Sequence, residues 1–202
     1  MSTKSAIAPL DELARRIQDE QLLAPLWPED DHIALLDQTR LPFVRDVLEI
    51  HTPGEMAAAI RQMQIRGSGA IGCAGALGAY LAVRQQPDDP DQWEQAVQAL
   101  REARPTAVAL RRAVDEVIGA ARASTVPLEA AAAAAAAFVS RQVEMERRIG
   151  RHGAAAIPDG ATVLTHCHSG GLAGAGYGGR ALSVIRGARE AGKQLQVIAQ
   201  ET

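Results

Sequence analysis

Aromatic residues, paired cysteines and long apolar runs are all scarce in this chain of 202 residues. Only 3% of the residues are aromatic although 47% are hydrophobic, so aliphatic side chains and alanine must build the core. The two cysteines, Cys73 and Cys167, show no spacing typical of a disulfide scaffold, which favours a reducing, cytoplasmic setting. The lack of a long apolar run predicts that the protein neither spans nor binds a membrane, and the charged N-terminus has no segment typical of a secretory signal.

The formal net charge of −3 is small for a chain of this length. A protein that binds nucleic acid by neutralising phosphates usually carries a clear basic excess, so we expect no nucleic-acid partner. A small anionic ligand is compatible with the composition, because a few local arginines are enough to bind one.

The first part of the chain has the apolar spacing of a helical domain. Helices are predicted over 8–24, 52–67, 70–85, from the turn at 87–93 onward, 104–123 and 126–157. Thr52 and Glu55 have the spacing of a capping box at a helix start, and the alanines of 130–137 favour helix strongly. Two β-rich runs within 32–50 flank the sequence DQTRLP and predict a hairpin or small sheet.

The pattern changes after residue 157. A turn leads into the short apolar strand TVLTHC, which is followed by a glycine-rich loop, a helix over 179–192 and a second strand, GKQLQVIAQET. This order predicts one β-α-β unit of a parallel sheet. One such unit cannot cover both faces of a sheet, so we expect residues 158–202 to begin a Rossmann-like domain that is incomplete here. The predicted fold class is therefore α/β, with a helical domain over 1–157.

Three kinds of site are compatible with the segment LTHCHSGGLAGAGYGG. Gly174, Gly176 and Gly179 match the dinucleotide motif G-x-G-x-x-G, and Glu201 would follow as a ribose-binding acid. In a dinucleotide-binding fold the first glycine follows the strand almost directly, whereas Gly174 lies seven positions after Cys167. A metal site would use His166, Cys167 and His168, but consecutive side chains of an extended chain point in opposite directions. We expect neither a metal nor a cofactor.

The third kind of site is a reactive thiol. Cys167 lies at the carboxyl end of a predicted parallel strand, where open α/β folds bind ligands. The N-terminus of the following helix would favour a thiol that gives or takes a proton near neutral pH. A buried, inert cysteine is equally compatible with this segment, and it is the favoured interpretation for Cys73 in its alanine-glycine helix.

A second candidate site is the sequence IRGSGAIG. Arg66, Gly67 and Ser68 lie at a predicted helix start, where backbone N–H groups and a guanidinium could bind phosphate. The same residues could form a tight turn between packed helices. Arg104, which precedes Pro105 near another helix start, is by itself better interpreted as structural.

Four motifs in this order resemble the methylthioribose-1-phosphate isomerase family: LLDQTRLP, IRQMQIRGSGAIG, RPTAVAL and LTHCHSGGLAGAGYGGRALSVIRGAREAGK. That family is related to ribose-1,5-bisphosphate isomerases and to regulatory subunits of translation initiation factor 2B. The resemblance covers roughly residues 33–202. It implies a homodimeric isomerase of methionine salvage that converts 5-methylthioribose 1-phosphate to 5-methylthioribulose 1-phosphate without a cofactor or metal.

The resemblance also implies roles for individual residues. Cys167 would be the catalytic proton donor, while Arg66, the backbone of Gly67 and Ser68, and Arg104 would bind the phosphate. The family's catalytic aspartate and a later phosphate-binding Asn-Lys pair would follow residue 202, so we expect this chain alone to be inactive.

Two departures concern the substrate. The family usually has Ala-Pro at positions 68 and 69 and Asn at position 168, whereas this chain has Ser-Gly and His. These residues lean towards the ribose-1,5-bisphosphate branch.

Overall fold

Helices form most of the structure, a computed structural model that describes residues 7–200. The helices are α1 (Ala8–Asp19), α2 (Pro53–Arg61), α3 (Ser68–Gln85), α4 (Pro90–Arg101), α5 (Val108–Arg122), α6 (Pro127–Ala156) and α7 (Ala181–Glu190). The strands are β1 (Leu26–Pro28), β2 (Ile33–Leu36), β3 (Val47–Ile50), β4 (Thr162–Thr165) and β5 (Gln196–Ala199). The predicted α/β class is confirmed. No helix among the described residues is long and apolar enough to cross a bilayer.

The small sheet is antiparallel, with strand order β1-β2-β3. Ile33 pairs with Ile50 across β2 and β3, which confirms the predicted hairpin. Strand β1 was not predicted: its last residue, Pro28, pairs with Ile33 at the end of an edge strand. An edge position tolerates proline because its missing N–H group is not needed by a further strand.

Several helix ends differ from the prediction. Helix α1 ends at Asp19 rather than at residue 24, because the chain turns at Gln21, which has a φ of 48°. Helix α5 begins at Val108 rather than at residue 104, because residues 105 and 106 form a turn ahead of it. The predicted capping box of α2 is confirmed: the Thr52 hydroxyl accepts from the Glu55 N–H at 3.1 Å, and the Glu55 carboxylate accepts from the Thr52 N–H at 3.0 Å.

Helix α3 is the centre of the core and packs against α4, α5 and α6. Its small residues permit this close packing. A Cβ added at Gly75 would lie 2.8 Å from Leu110 Cδ1, and one added at Gly78 would lie 2.8 Å from Leu100 Cδ2. Leucines of the neighbouring helices therefore fill the space that larger residues of α3 would occupy.

The β-α-β unit has the predicted parallel pairing, in which Thr162 is in register with Gln196. Its helix, α7, packs against α6 and so joins this unit to the helical part of the chain. Leu164, Val197 and Ile198 of the two strands are exposed within the described residues. The division into domains at residues 157 and 158 stays a prediction, and α6 ends next to this position.

A buried carboxylate fixes the glycine-rich loop between β4 and α7. Glu146 of α6 is only 2% exposed and accepts four backbone hydrogen bonds from this loop. The donors are Ala175 at 2.6 Å, Tyr177 at 3.1 Å, Gly178 at 3.0 Å and Gly179 at 3.1 Å. Burial raises the pKa of Glu146, and the four hydrogen bonds oppose that rise because they favour the carboxylate. The loop thus obtains from one side chain the acceptors that its buried N–H groups require.

We expect Glu146→Ala to lower the free energy of unfolding by at least about 3 kcal/mol, because several buried N–H groups lose their acceptor at once. Glu146→Gln should cost less, since its oxygen can still accept from Tyr177, Gly178 and Gly179. Urea denaturation followed by circular dichroism measures both changes.

The matched control is Glu144→Gln on the same helix, whose exposed ion pair with Arg151 spans 3.3 Å. A surface pair of this kind contributes at most about 1 kcal/mol, so the control should unfold like the unsubstituted chain. Equal stabilities for Glu146→Ala and the control would contradict the structural role of Glu146.

Candidate functional site

Cys167 lies just beyond the carboxyl end of β4, in the position that the sequence predicts. Its side chain is a free, exposed thiol, and its backbone φ of 70° is in the left-handed region. This conformation is uncommon for a residue other than glycine and turns the chain sharply out of the strand. The Ser169 hydroxyl donates to the Cys167 carbonyl at 3.1 Å and holds this turn.

Helix α7 begins close to the predicted start at residue 179, so its N-terminus is not next to Cys167 in the chain. A 3₁₀ turn over Gly171–Ala173 and the loop around Glu146 precede α7, which begins at Ala181. Cys73, in contrast, is fully buried in α3, where desolvation raises the pKa of its thiol and the nearby Glu146 charge raises it further. Cys73 therefore has the character of a small hydrophobic residue, as predicted.

Arg66, Gly67 and Ser68 meet at the N-terminus of α3. Gly67 is the residue before this helix, with a φ of 94°, and a Cβ at this position would lie 2.5 Å from the Ala173 Cα. Glycine is required here both by its backbone conformation and by this close approach. The turn at residues 66–68 is therefore packed directly against the 3₁₀ turn that follows Cys167.

The guanidinium of Arg66 is only partly satisfied. Its Nε atom is buried and has no hydrogen-bond partner within residues 7–200. Its Nη2 atom donates to the Gln38 carbonyl at 3.4 Å, a long hydrogen bond. A buried guanidinium N–H without an acceptor is energetically costly, and an anionic ligand would remove that cost.

Arg104 does not lie at a helix start, because α5 begins four residues later at Val108. Its guanidinium instead contacts the sulfur atom of Met63. Met63 lies in the turn between α2 and α3, which also contains Arg66. The structure thus places Arg104 against the segment that contains Arg66.

Gln38, for which the sequence predicted no role, joins the parts of this site. Its side chain is only 2% exposed, and its Nε2 atom donates to the Leu172 carbonyl at 2.9 Å. Its Oε1 atom lies 2.9 Å from Nε2 of His168. Arg66 donates to the backbone carbonyl of Gln38, so Gln38 connects Arg66 to His168, the residue next to Cys167.

Asp37 holds the loop that carries Gln38. It accepts from the Thr39 N–H at 2.9 Å and from the Gln64 side chain at 3.0 Å. Burial raises the pKa of Asp37, but these hydrogen bonds and the charge of Arg40 outweigh burial and lower it overall. The motif DQTRLP therefore contains a structural carboxylate, Asp37, and the amide that connects the parts of the site, Gln38.

The dinucleotide interpretation is disfavoured by the glycine-rich loop itself. The N–H groups of Gly178 and Gly179 already bind the Glu146 carboxylate, so they are not available to a pyrophosphate. Glu201, the candidate ribose-binding acid, lies outside the described residues. Glu146 was missed in the sequence, although a charged residue on the buried stripe of Val139, Val143 and Gly150 was a signal.

The metal interpretation is also disfavoured. His166 and His168 bind different partners: His166 Nδ1 lies 2.8 Å from Gln200 Oε1, whereas His168 binds Gln38. Across residues 7–200, no group of three or more histidine, cysteine, aspartate or glutamate side chains is arranged to hold a metal ion.

Comparison with known proteins relates this arrangement to two groups. The chain is 44% identical to the methylthioribose-1-phosphate isomerase of Geobacter sulfurreducens, over 86% of this chain and 53% of that protein. It is 41% identical to the protein of the same name from Thermotoga neapolitana, over 84% of this chain and 51% of that protein. The chain thus spans about half the length of the curated relatives it matches.

Two crystal structures have the same fold. One is translation initiation factor eIF-2B, subunit delta, from A. fulgidus, with a TM-score of 0.81 and 35% identity over 89% of this chain and 55% of that one. The other is 5-methylthioribose 1-phosphate isomerase from Pyrococcus horikoshii, with a TM-score of 0.78 and 24% identity over 94% of this chain and 62% of that one. The model of one family matches residues 64–202, and the chain belongs to that family, the initiation factor 2 subunit family.

Proposed function

We propose that this chain contributes the phosphate-binding residues and the catalytic thiol of an aldose–ketose isomerase that acts on 5-methylthioribose 1-phosphate. The observation that carries the proposal is the buried Nε atom of Arg66, which has no acceptor within residues 7–200 and lies beside the N-terminus of α3. A phosphate is the ligand that best satisfies a guanidinium and helix N–H groups together. The names of the curated relatives support a sugar phosphate as the ligand class.

The roles follow from the chemistry of each group. Arg66 and the backbone N–H groups at Gly67 and Ser68 bind the phosphate, and Arg104 adds positive charge from the neighbouring segment. Isomerisation moves hydrogen from C2 to C1 of the sugar, and Cys167 acts as the proton donor in this transfer. The reaction is internally redox-neutral, so it needs no external oxidant or reductant. We propose that the enzyme acts in the cytoplasm, which the cysteine content favours, and as a homodimer, which the family resemblance implies.

Two alternatives share these residues. Ser68 and His168 lean towards ribose 1,5-bisphosphate as the substrate. The similarity to subunit delta of eIF-2B, at 35% identity, favours a second alternative, a non-catalytic module that senses a sugar phosphate or nucleotide. In both the isomerase and the sensor, the phosphate would bind at Arg66, whereas only the isomerase requires the thiol of Cys167.

Arg66→Met should weaken the binding of 5-methylthioribose 1-phosphate about ten- to hundredfold, because a charge-assisted hydrogen bond contributes about 1.5–3 kcal/mol. Titration calorimetry measures this loss. The matched control is Arg61→Met: Arg61 lies at the exposed end of α2, where its Nη1 atom donates to the Ala99 carbonyl at 3.4 Å. Similar losses in both variants would overturn the phosphate site.

Sugar phosphate should slow the alkylation of Cys167 by iodoacetamide. Cys73 is buried, so Cys167 is the one thiol of the folded chain expected to react quickly. Mass spectrometry of the digested protein gives the rate for each cysteine, and Arg66→Met should shift the protection to a ligand concentration about ten- to hundredfold higher. An alkylation rate that saturating ligand leaves unchanged, although calorimetry shows binding, would place the ligand away from the thiol.

The polypeptide of residues 1–202 should bind the ligand without turning it over, because the aspartate that the resemblance implies is not among its matched motifs. An assay for the ketose product tests this directly, and measurable turnover would contradict it. If turnover is found, it excludes the sensor, and Cys167→Ala then tests the role of the thiol. An isomerase should lose about 10²–10⁴-fold in rate while it still binds, because a positioned proton donor contributes that much.

A further inference from the structure

The hydrogen bonds of Gln38 determine which nitrogen of His168 carries a proton. A backbone carbonyl can only accept, so the group of Gln38 that faces the Leu172 carbonyl at 2.9 Å must be its NH₂ group. Its oxygen therefore faces His168, 2.9 Å from Nε2. An amide oxygen can only accept, so Nε2 of His168 must donate and must carry the hydrogen. In the neutral ring, Nδ1 then holds a free lone pair.

The charges around His168 favour the neutral ring. Burial lowers the pKa of His168 from its ordinary value of 6.5, and the positive charge of Arg66 lowers it further. Two other titratable residues are adjacent in sequence to this pair, Cys167 before His168 and Asp37 before Gln38. The Asp37 carboxylate hydrogen-bonds to Thr39 and Gln64, not to His168. Nδ1 of His168 makes no hydrogen bond with any residue in 7–200.

A sugar phosphate needs more than phosphate donors. Arg66 and the N–H groups at the start of α3 can only donate, so they suit the phosphate but cannot accept from the sugar hydroxyls. His168 adjoins Cys167 in sequence and is joined to Arg66 through Gln38, and its Nδ1 atom is an acceptor without a partner in the described chain. It offers the hydrogen-bonding capacity that the phosphate-binding residues lack.

We propose that Nδ1 of His168 accepts a hydrogen bond from a hydroxyl group of the sugar phosphate, and that Gln38 is the positioning residue that fixes the required tautomer. This inference rests on the proposed function. It assigns His168 to recognition of the sugar, separately from the phosphate and from the thiol chemistry. An asparagine at position 168 would present the same pair of groups, since its NH₂ group can donate to Gln38 and its oxygen can accept from the ligand, without titrating.

The test compares two ligands in three proteins by titration calorimetry. The ligands are 5-methylthioribose 1-phosphate and inorganic phosphate, which has no sugar hydroxyls. The proteins are the unsubstituted chain, His168→Asn and His168→Leu, each checked for folding by circular dichroism. The ratio of the two affinities isolates the sugar from the charge of the phosphate.

At about pH 8, His168→Leu should lower this ratio about five- to tenfold, the worth of one neutral hydrogen bond, and His168→Asn should preserve it. As the pH falls towards about 5, protonation removes the lone pair of Nδ1. The ratio should therefore fall more steeply in the unsubstituted chain than in His168→Asn, below the ordinary histidine value of 6.5. An unchanged ratio in His168→Leu, or identical pH profiles for histidine and asparagine, would overturn the inference.

Side-chain ¹⁵N NMR of the unsubstituted chain tests the tautomer without any substitution. A protonated Nε2 and an unprotonated Nδ1 at neutral pH are expected, and the opposite assignment would overturn the role of Gln38. Failure of the proposed function has a different signature: inorganic phosphate would then bind no more weakly to Arg66→Met than to the unsubstituted chain. Phosphate binding that depends on Arg66, together with a ratio insensitive to His168→Leu, would overturn this inference alone.

Discussion

The contact between the Glu146 carboxylate and four N–H groups of the glycine-rich loop is the constraint on which the site depends. The loop has little regular structure of its own, so its buried N–H groups need acceptors from elsewhere. A carboxylate from the long helix α6 supplies them, and the loop must be narrow to receive it: a Cβ at Gly174 would lie 2.0 Å from Glu146 Oε1. Because the loop is fixed in this way, the 3₁₀ turn before it is fixed against Gly67.

Two chain segments that are distant in sequence thereby form one site. The N-terminus of α3 brings Arg66 and helix N–H groups, all of which donate hydrogen bonds, and the end of β4 brings Cys167 and His168. Gln38 holds these segments together through Leu172 on one side and Arg66 on the other. The α3 side therefore offers only hydrogen-bond donors, which suit an anion. The β4 side offers a thiol and an imidazole, which suit proton transfer and hydroxyl groups. This division agrees with the proposed ligand, a phosphorylated sugar.

The sequence predicted best the features that depend on neighbouring residues. Thr52 and Glu55 of the capping box are only three positions apart, and the order of strand, loop, helix and strand after residue 157 is visible as a change of pattern. Gln38 and Leu172 are 134 positions apart, and no local pattern predicts such a contact. The edge strand with Pro28 was missed for a related reason, because proline signals a break unless the partner strand is known.

The two glycine-containing segments of this chain show why a glycine motif alone is weak evidence of function. The glycines at 174, 176 and 179 have the spacing of a phosphate-binding loop, but the anion they bind is a side chain of the same protein. An internal carboxylate is always present at its binding position, so an external phosphate would have to displace it and leave a buried charge unpaired. At the start of α3, no carboxylate within residues 7–200 binds the N–H groups of Gly67 or Ser68, and the adjacent Arg66 lacks an acceptor at Nε. An external anion can therefore bind at the start of α3 without displacing an internal one. This favours the segment with Gly67 and Ser68, rather than the loop with the glycine motif, as the ligand site.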